Sequence, residues 1–326
     1  MIYQRFLRPL LFLLDPERAH HLALSCLWAT GPFLPRKRLG GSPTTLFGLN
    51  FRHRVGLAAG LDKNGVALPA WEALGFAFVE IGTVTALPQP GNPQPRIFRY
   101  PRQQALINRL GFNNDGAQAV ADRLQRLRDE GRWPGIPVGI NIGKSRAVEL
   151  EAAPEDCLAS LSRLRDHADY LALNVSSPNT PGLRELQQPA QLDSLLRTLR
   201  PECAGKPLLV KVAPDVDDAL LGEMVDVCER NEIAGLIATN TTIDHSALRL
   251  TKDEQGGLSG APLRSRATEI VKKITMQTNL PVIGCGGITD ATAAREKTAA
   301  GAQLLQIYTG FIYRGPDLIR ELALAT

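Results

Sequence analysis

The segment "NVSSPNTPG", residues 174–182, joins two serines, two asparagines and two prolines directly after the apolar run 170–173. It contains no Asp, Glu, His, Lys or Cys. A serine hydroxyl that removes a proton needs an acceptor for its own proton, or surroundings that stabilise the forming charge. The segment is therefore either a strand-ending turn or a site whose help comes from elsewhere. Two lysines offer further chemistry. Lys211 lies in "LLVKVAP" between Val210 and Val212, and Lys63 follows "VGLAAGLD". A lysine in such a strand can form a Schiff base, as in an aldolase, or its charge can stabilise an electron-rich cofactor ring. Neutral amides abound beside them. Asparagines suit a flat heterocycle with alternating N–H and C=O groups better than a phosphorylated sugar aldehyde.

Eight short apolar runs would position these residues. They span 55–60, 78–85, 138–143, 170–176, 208–214, 235–242, 281–287 and 304–310, and amphipathic helices lie between most of them. One such helix is expected over 291–300, capped by Asp290 and ended by Gly301. Pro69 in the first barrel helix implies a late start for it. Eight β/α units predict an α/β fold, a (β/α)8 TIM barrel. Most strands end in polar groups: Lys63-Asn64, Thr83, Asn141, Asn174 with Ser176-Ser177, Lys211, Thr239 to Thr241, and Tyr308-Thr309. Any one of these is ordinarily a cap or turn residue. Together they converge on the C-terminal mouth, where barrel active sites lie. "GGLSG" (256–260), "GCGG" (284–287) and "YTG" (308–310) add glycine-rich backbone suited to a ligand phosphate. The insertion 86–115 is long enough to shape the mouth. No cluster of Asp, Glu and His at the strand ends suggests a metal.

The chain opens with two short amphipathic helices. In the first, Tyr3, Phe6, Leu7, Leu10 and Leu14 share a face, and Pro9 either starts or kinks it. The second has Asp15 as N-cap and Pro16 at its first position, with Gly31 and Pro32 ending it. The pair either packs both apolar faces on the barrel or lies on a membrane surface. The apolar run 10–14 is too short for a signal core, and no stretch approaches the roughly 20 apolar residues of a spanning helix.

Bulk properties fit these readings. The 326 residues are 44% hydrophobic and 21% charged, with a formal charge of +4, enough to bury a large core. No long Lys/Arg run argues for nucleic acid. Five scattered cysteines, never in CxxC spacing, read as reduced thiols of a cytosolic protein.

At this point the motifs resemble one family. "GLAAGLDKNG", "EIGTVT", "PQPGNPQPRIFR", "INRLGFNN", "GINIGK", "NVSSPNTPGLR", "VKVAPD", "IATNTT", "GGLSGAPL" and "QIYTGFIYRGP" resemble those of the class 2 dihydroorotate dehydrogenases, membrane-associated and quinone-dependent. "LDPERAHHLAL" resembles that class's helical extension. The resemblance implies an extension over residues 1–38 and an FMN-binding catalytic barrel over 39–326. It implies oxidation of dihydroorotate to orotate in pyrimidine biosynthesis, with electrons passing through FMN to a membrane quinone. Ala58, Ala59, Gly60, Leu61, Asp62, Lys63, Thr83, Asn141, Asn174, Lys211 and Thr239 would surround the flavin. Gly260, Gly287, Tyr308 and Thr309 would hold its phosphate. Lys63, Asn108, Arg109, Leu110, Gly111, Phe112, Asn174, Asn179, Asn240 and Thr241 would bind dihydroorotate. Ser177 would be the base, its proton leaving by a water relay past Thr180 and Phe112. His20 and Arg99 match positions near the quinone site, with a tunnel between the N-terminal helices. The resemblance also implies a monomer bound peripherally to the cytoplasmic face of the inner membrane. Cys285, among the phosphate-side glycines, departs from the small apolar residue expected there. The soluble class places a cysteine at the base position, and none of the five cysteines falls there.

Overall fold

The computed structural model describes residues 2–248 and 254–326, and of Pro32 only the backbone. Met1, the first residue of the expected extension, lies outside them. Eight parallel strands close a barrel: β1 (Val55–Leu57), β2 (Phe78–Val84), β3 (Val138–Ile142), β4 (Tyr170–Asn174), β5 (Leu208–Val212), β6 (Gly235–Ala238), β7 (Val282–Cys285) and β8 (Leu304–Ile307). Each pairs with its neighbour in sequence, and β8 returns to β1. The (β/α)8 expectation therefore holds. The strands are shorter than the apolar runs, because the runs continue into the polar turns at the mouth.

Alternation along each strand divides inside from outside. On β5, Val210 and Val212 pack outward against the helices, whereas Leu209 packs inside. Interior packing pairs small with large residues. A Cβ on Gly56 would meet the Phe78 ring at 2.4 Å, and one on Gly139 would meet the Tyr170 ring at 2.1 Å. A short hairpin, Thr44–Leu46 with Leu49–Phe51, plugs the barrel floor, and Phe51 stands edge-on to Phe78 at 5.2 Å.

Helices follow the expected caps. The one after β1, Leu68–Leu74, does start late, with Pro69 in its first turn. The one over Ala291–Ala299 begins at Asp290, whose side chain accepts from Ala293 N–H at 2.8 Å. Insertion 86–115 forms the hairpin Ile97–Tyr100 and Ala105–Asn108. A third strand, Gly257–Gly260, joins it antiparallel. "GGLSG" is thus largely a sheet strand as well as part of a glycine-rich wall.

At the N-terminus, a five-residue π-turn (Tyr3–Leu7) runs into α1 (Arg8–Leu13), with Pro9 in its first turn. The helix α2 (Pro16–Thr30) is capped as expected: Asp15 Oδ1 accepts from Glu17 and Arg18 N–H at 3.0 and 3.1 Å. Gly31 ends α2 without a left-handed turn. Its need is close approach, since a Cβ there would meet Ala70 Cβ at 2.7 Å. The first segment docks by its polar side. Tyr3 donates to Ile312 O at 2.6 Å, Gln4 to Arg314 O at 3.3 Å and Arg8 to Tyr313 O at 3.0 Å. Ile2, Phe6, Leu7, Leu10 and Leu13 are left exposed, joined by Leu22, Trp28, Phe33 and Leu34. Of the expected apolar face, Tyr3 turns to the barrel while Phe6, Leu7, Leu10 and Leu14 face solvent. No helix of the described residues is long and apolar enough to cross a membrane.

Candidate active site

One cavity occupies the barrel mouth beneath the three-stranded sheet. Its wall includes Ala58, Ala59, Gly60, Lys63, Thr83, Asn108, Leu110, Gly111, Phe112, Asn174, Ser177, Asn179, Lys211, Thr239, Asn240, Thr241, Gly260, Gly287, Tyr308 and Thr309. Residues spread across 250 positions of sequence are brought together because strand ends converge. Of the residues expected around the flavin and dihydroorotate, four do not line it. Leu61 packs into the outer core. Asp62 turns away and accepts from Val66 N–H, Ala67 N–H and Trp71 Nε1–H at 2.7, 2.9 and 2.9 Å, fixing the start of the first barrel helix. Asn141 lies one layer below the cavity. Arg109 pairs with Glu254 at 3.1 Å and stacks on Phe98.

The serine loop, residues 175–182, is held on three sides. Arg184 donates to Ser176 O and Thr241 O, each at 3.1 Å, and pairs with Asp215 at 2.8 Å. Asn92 Nδ2 donates to Asn179 O at 3.1 Å, and Asn179 Nδ2 donates to Asn108 Oδ1 at 3.2 Å. Ser177 is 6% exposed. Among the described residues its hydroxyl has one hydrogen bond, accepted from Asn179 N–H at 3.3 Å. Thr180 Oγ1 is buried without a partner among them.

The cations differ in their surroundings. Lys63 donates to Gly60 O at 3.0 Å. Burial first, then the Arg96 charge, pushes its pKa down to about 8. Lys211 is buried and has no hydrogen-bond acceptor among the described residues. The Cys285 thiol lines the cavity, and burial pushes its pKa up.

Sequence reasoning passed over several wall residues, Ile97, Leu106, Leu263, Ile288, Gln306 and Ile307, whereas Ser259, Gly286 and Gly310 lie in the glycine-rich segments it had singled out. Gln306 is the informative one. It sits in an otherwise apolar strand at an inward position, and its Oε1 is buried without a partner among the described residues. Inward parity was the signal that could have found it.

His20 and Arg99 lie outside this cavity. The His20 imidazole is held neutral, its pKa pushed down to about 3 by burial, then by the charges of Lys63 and His21. Arg99 donates to Leu11 O at 3.2 Å, to Phe12 O at 3.4 Å and to Leu14 O, and lies 4.5 Å over the Phe12 ring. It therefore caps the end of α1. Next to it, Arg96 and Glu17 form a buried pair, with contacts of 2.6, 3.0 and 3.1 Å, that ties α2 to the insertion.

Residues 42–324 match the family model described as dihydroorotate dehydrogenase. The chain is 52% identical to a dihydroorotate dehydrogenase (quinone) of Gloeobacter violaceus, covering 98% of this chain and 92% of that protein. It is 51% identical to one of Salinispora arenicola, covering 100% and 99%. Among solved structures it is similar to Eimeria tenella DHODH in complex with ferulenol, with a TM-score of 0.88 and 38% identity over 95% of this chain and 90% of that one.

Proposed function

The chain belongs to the dihydroorotate dehydrogenase family and oxidises dihydroorotate to orotate with a quinone as acceptor, in pyrimidine biosynthesis, and we propose that it does so with FMN in the barrel mouth and Ser177 as base. The observation that carries this reading is the single cavity that gathers Ser177, Lys63, Lys211 and the neutral amides.

The wall suits a flavin. Among the described residues, Gln306 Oε1 and Thr241 Oγ1 are buried there without partners, and the Lys211 ammonium has no acceptor. These are a hydrogen-bond acceptor, a hydroxyl and a cation for a ring with N–H and C=O edges. Gly260 and Gly287 hold another stretch of the wall close to its neighbours. A Cβ would meet Gln104 O at 2.1 Å in the first and Arg264 Cα at 2.2 Å in the second. That wall, with Tyr308 and Thr309, would hold the phosphate. Thr83, Asn174, Thr239 and Ala58 to Gly60 would border the ring. Asn141 supports it from below. When bound, FMN supplies the hydride acceptor for C6 of dihydroorotate and the two-electron link to the quinone.

The chain's own residues handle the proton and the charge. Forming the C5–C6 double bond requires loss of a proton from C5. Ser177 takes it while its own hydroxyl proton passes to a relay water, and its one hydrogen bond among the described residues, from Asn179 N–H, stabilises negative charge on Oγ during the exchange. The Thr180 hydroxyl, buried without a partner among the described residues, would hold the relay water that accepts this proton. Lys63, protonated near neutral pH, attracts the carboxylate, while Asn108, Asn179, Asn240 and Thr241 hold the amides. Leu110, Gly111 and Phe112 close the site against water.

The exposed apolar face of the N-terminal segment would rest on lipid at the cytoplasmic face of the inner membrane. This peripheral attachment needs no spanning helix. Quinone would enter between α1 and α2, near His20 and Arg99. The catalytic unit would be the monomer. The test is the visible spectrum of purified protein. Flavin absorbance that bleaches with dihydroorotate and returns with quinone supports the reading, and colourless protein that binds no FMN refutes it.

A further inference from the structure

Glu80 lies on β2 with no solvent exposure, inside the barrel and below the cavity. Three side chains donate to it: Asn141 Nδ2 at 2.9 Å, Tyr170 Oη at 3.1 Å and Gln306 Nε2 at 2.7 Å. From Asn141 the bonds continue upward in one direction. Thr83 Oγ1 donates to Asn141 Oδ1 at 2.6 Å, and Asn174 Nδ2 donates to Thr83 Oγ1 at 2.8 Å. Asn174 Oδ1 then accepts from Ser176 N–H and Ser176 Oγ, each at 3.2 Å, and from Asn240 Nδ2 at 3.3 Å. Every arrow in the chain points towards the carboxylate.

We propose that Glu80 is a positioning residue that fixes the donor and acceptor polarity of the cavity wall. The logic is one of counting. An amide has one acceptor end and one donor end, so fixing one end fixes the other. Glu80 takes the Nδ2 of Asn141 and so leaves Oδ1 for Thr83. Thr83 spends its hydrogen on Asn141 and must accept from Asn174. Asn174 Oδ1 is then filled by three donors, so Asn174 can offer the cavity only its remaining N–H. That suits a ligand edge of carboxylate and carbonyl oxygens. On the other branch, Gln306 spends Nε2 on Glu80, so its Oε1, without a partner among the described residues, is left to the cavity as an acceptor for a ligand N–H. One buried carboxylate thereby sets a donor on one wall and an acceptor on another.

The near-isosteric substitution Glu80→Gln breaks this rule unavoidably. Its amide nitrogen must face either Asn141 or the Tyr170 and Gln306 pair. In the first case Asn141, Thr83 and Asn174 reverse, and the donor leaves the ligand. In the second, Gln306 reverses and presents Nε2. A lost or opposed hydrogen bond of this kind weakens binding by about tenfold or more.

The inference rests on the cavity being the dihydroorotate site, and the experiment separates the two. Orotate and FMN dissociation constants are measured by calorimetry for the parent, Glu80→Gln, Glu80→Asp, Thr83→Val and the Glu80→Gln/Thr83→Val pair, with circular dichroism for the fold. If the parent binds no orotate, the functional reading fails. If it does, Glu80→Gln is expected to lose about tenfold or more in orotate or FMN affinity. Glu80→Asp, still acceptor-only, is expected to fall between it and the parent. Thr83→Val interrupts the chain midway and is expected to weaken orotate by itself. The double variant is expected to bind orotate no more weakly than the weaker single, because both break one chain. Folded Glu80→Gln binding both ligands within twofold of the parent overturns the proposal. So does Glu80→Asp binding as weakly as Glu80→Gln, or orotate losses that multiply in the double variant. Should Glu80→Gln fail to fold, Thr83→Val with orotate affinity like the parent's overturns it alone.

Discussion

Removing the Glu17 carboxylate should undock the N-terminal helices while leaving the barrel intact. Glu17 and Arg96 are 5% and 8% exposed, and their three contacts are the buried charged link between α2 and the insertion. Taking one partner from a buried ion pair costs about 3–5 kcal/mol, because the other charge is left without compensation. Arg96 keeps two acceptors on Nη1, Pro90 O at 2.6 Å and Asn92 O at 2.8 Å, which places Glu17→Ala near the lower figure. The loss falls on docking because Glu17 is the one buried charge of α2; its other buried residue is Ala19, with Leu24 and Leu27 packed half-buried against the core. About 3 kcal/mol is roughly a hundredfold shift from docked towards undocked at about 1.4 kcal/mol per decade. Hydrogen exchange read by mass spectrometry should show amides of residues 16–30 exchanging roughly a hundredfold faster, with the barrel strands unchanged. Exchange in that segment within about threefold of the parent would refute the assignment of docking energy to this pair.

Three further outcomes follow from the same geometry. Because the Lys63 pKa is pushed down to about 8, an anionic ligand beside it should raise that pKa again. Orotate binding should then take up close to one proton at pH 9 and none from this group below pH 7; calorimetry in buffers of different ionisation heat reads this, and zero uptake at pH 9 contradicts it. Deleting residues 1–30 should abolish quinone reduction while sparing most reduction of a soluble dye, and equal loss on both acceptors argues against entry between α1 and α2. Gly287 has a φ of +75°, and its Cβ would meet Arg264 Cα at 2.2 Å, so Gly287→Ala should purify with at least about tenfold less FMN; full flavin content would show that this wall does not hold the phosphate.

What was legible in the sequence was mostly what repeats. Eight apolar runs gave the barrel, and the polar groups at their ends gave the mouth, because both depend on strand period and direction. Contacts between distant segments were not legible. Strand Gly257–Gly260 pairs with Ala105–Asn108 across about 150 residues, and glycines give no strand signal. Leu61 and Asp62 sit inside a motif whose neighbours line the cavity, yet a tight turn points both side chains elsewhere. Glu80 and Gln306 were hidden in strands treated as apolar, although parity with Phe78 and Leu304 puts both inside. Amphipathic spacing located the first helical segment, but only the tertiary contacts of Tyr3, Gln4 and Arg8 reveal that its polar side docks and its apolar side is free.

The central claim is that Ser177 removes the C5 proton without a protein acid or base in contact with it. The direct measurement is anaerobic stopped-flow absorbance of bound flavin on mixing with dihydroorotate, comparing the parent with Ser177→Ala at equal orotate affinity. The account predicts reduction at least about a hundredfold slower in the variant, the scale of a lost general base. Reduction at the parent's rate would contradict it.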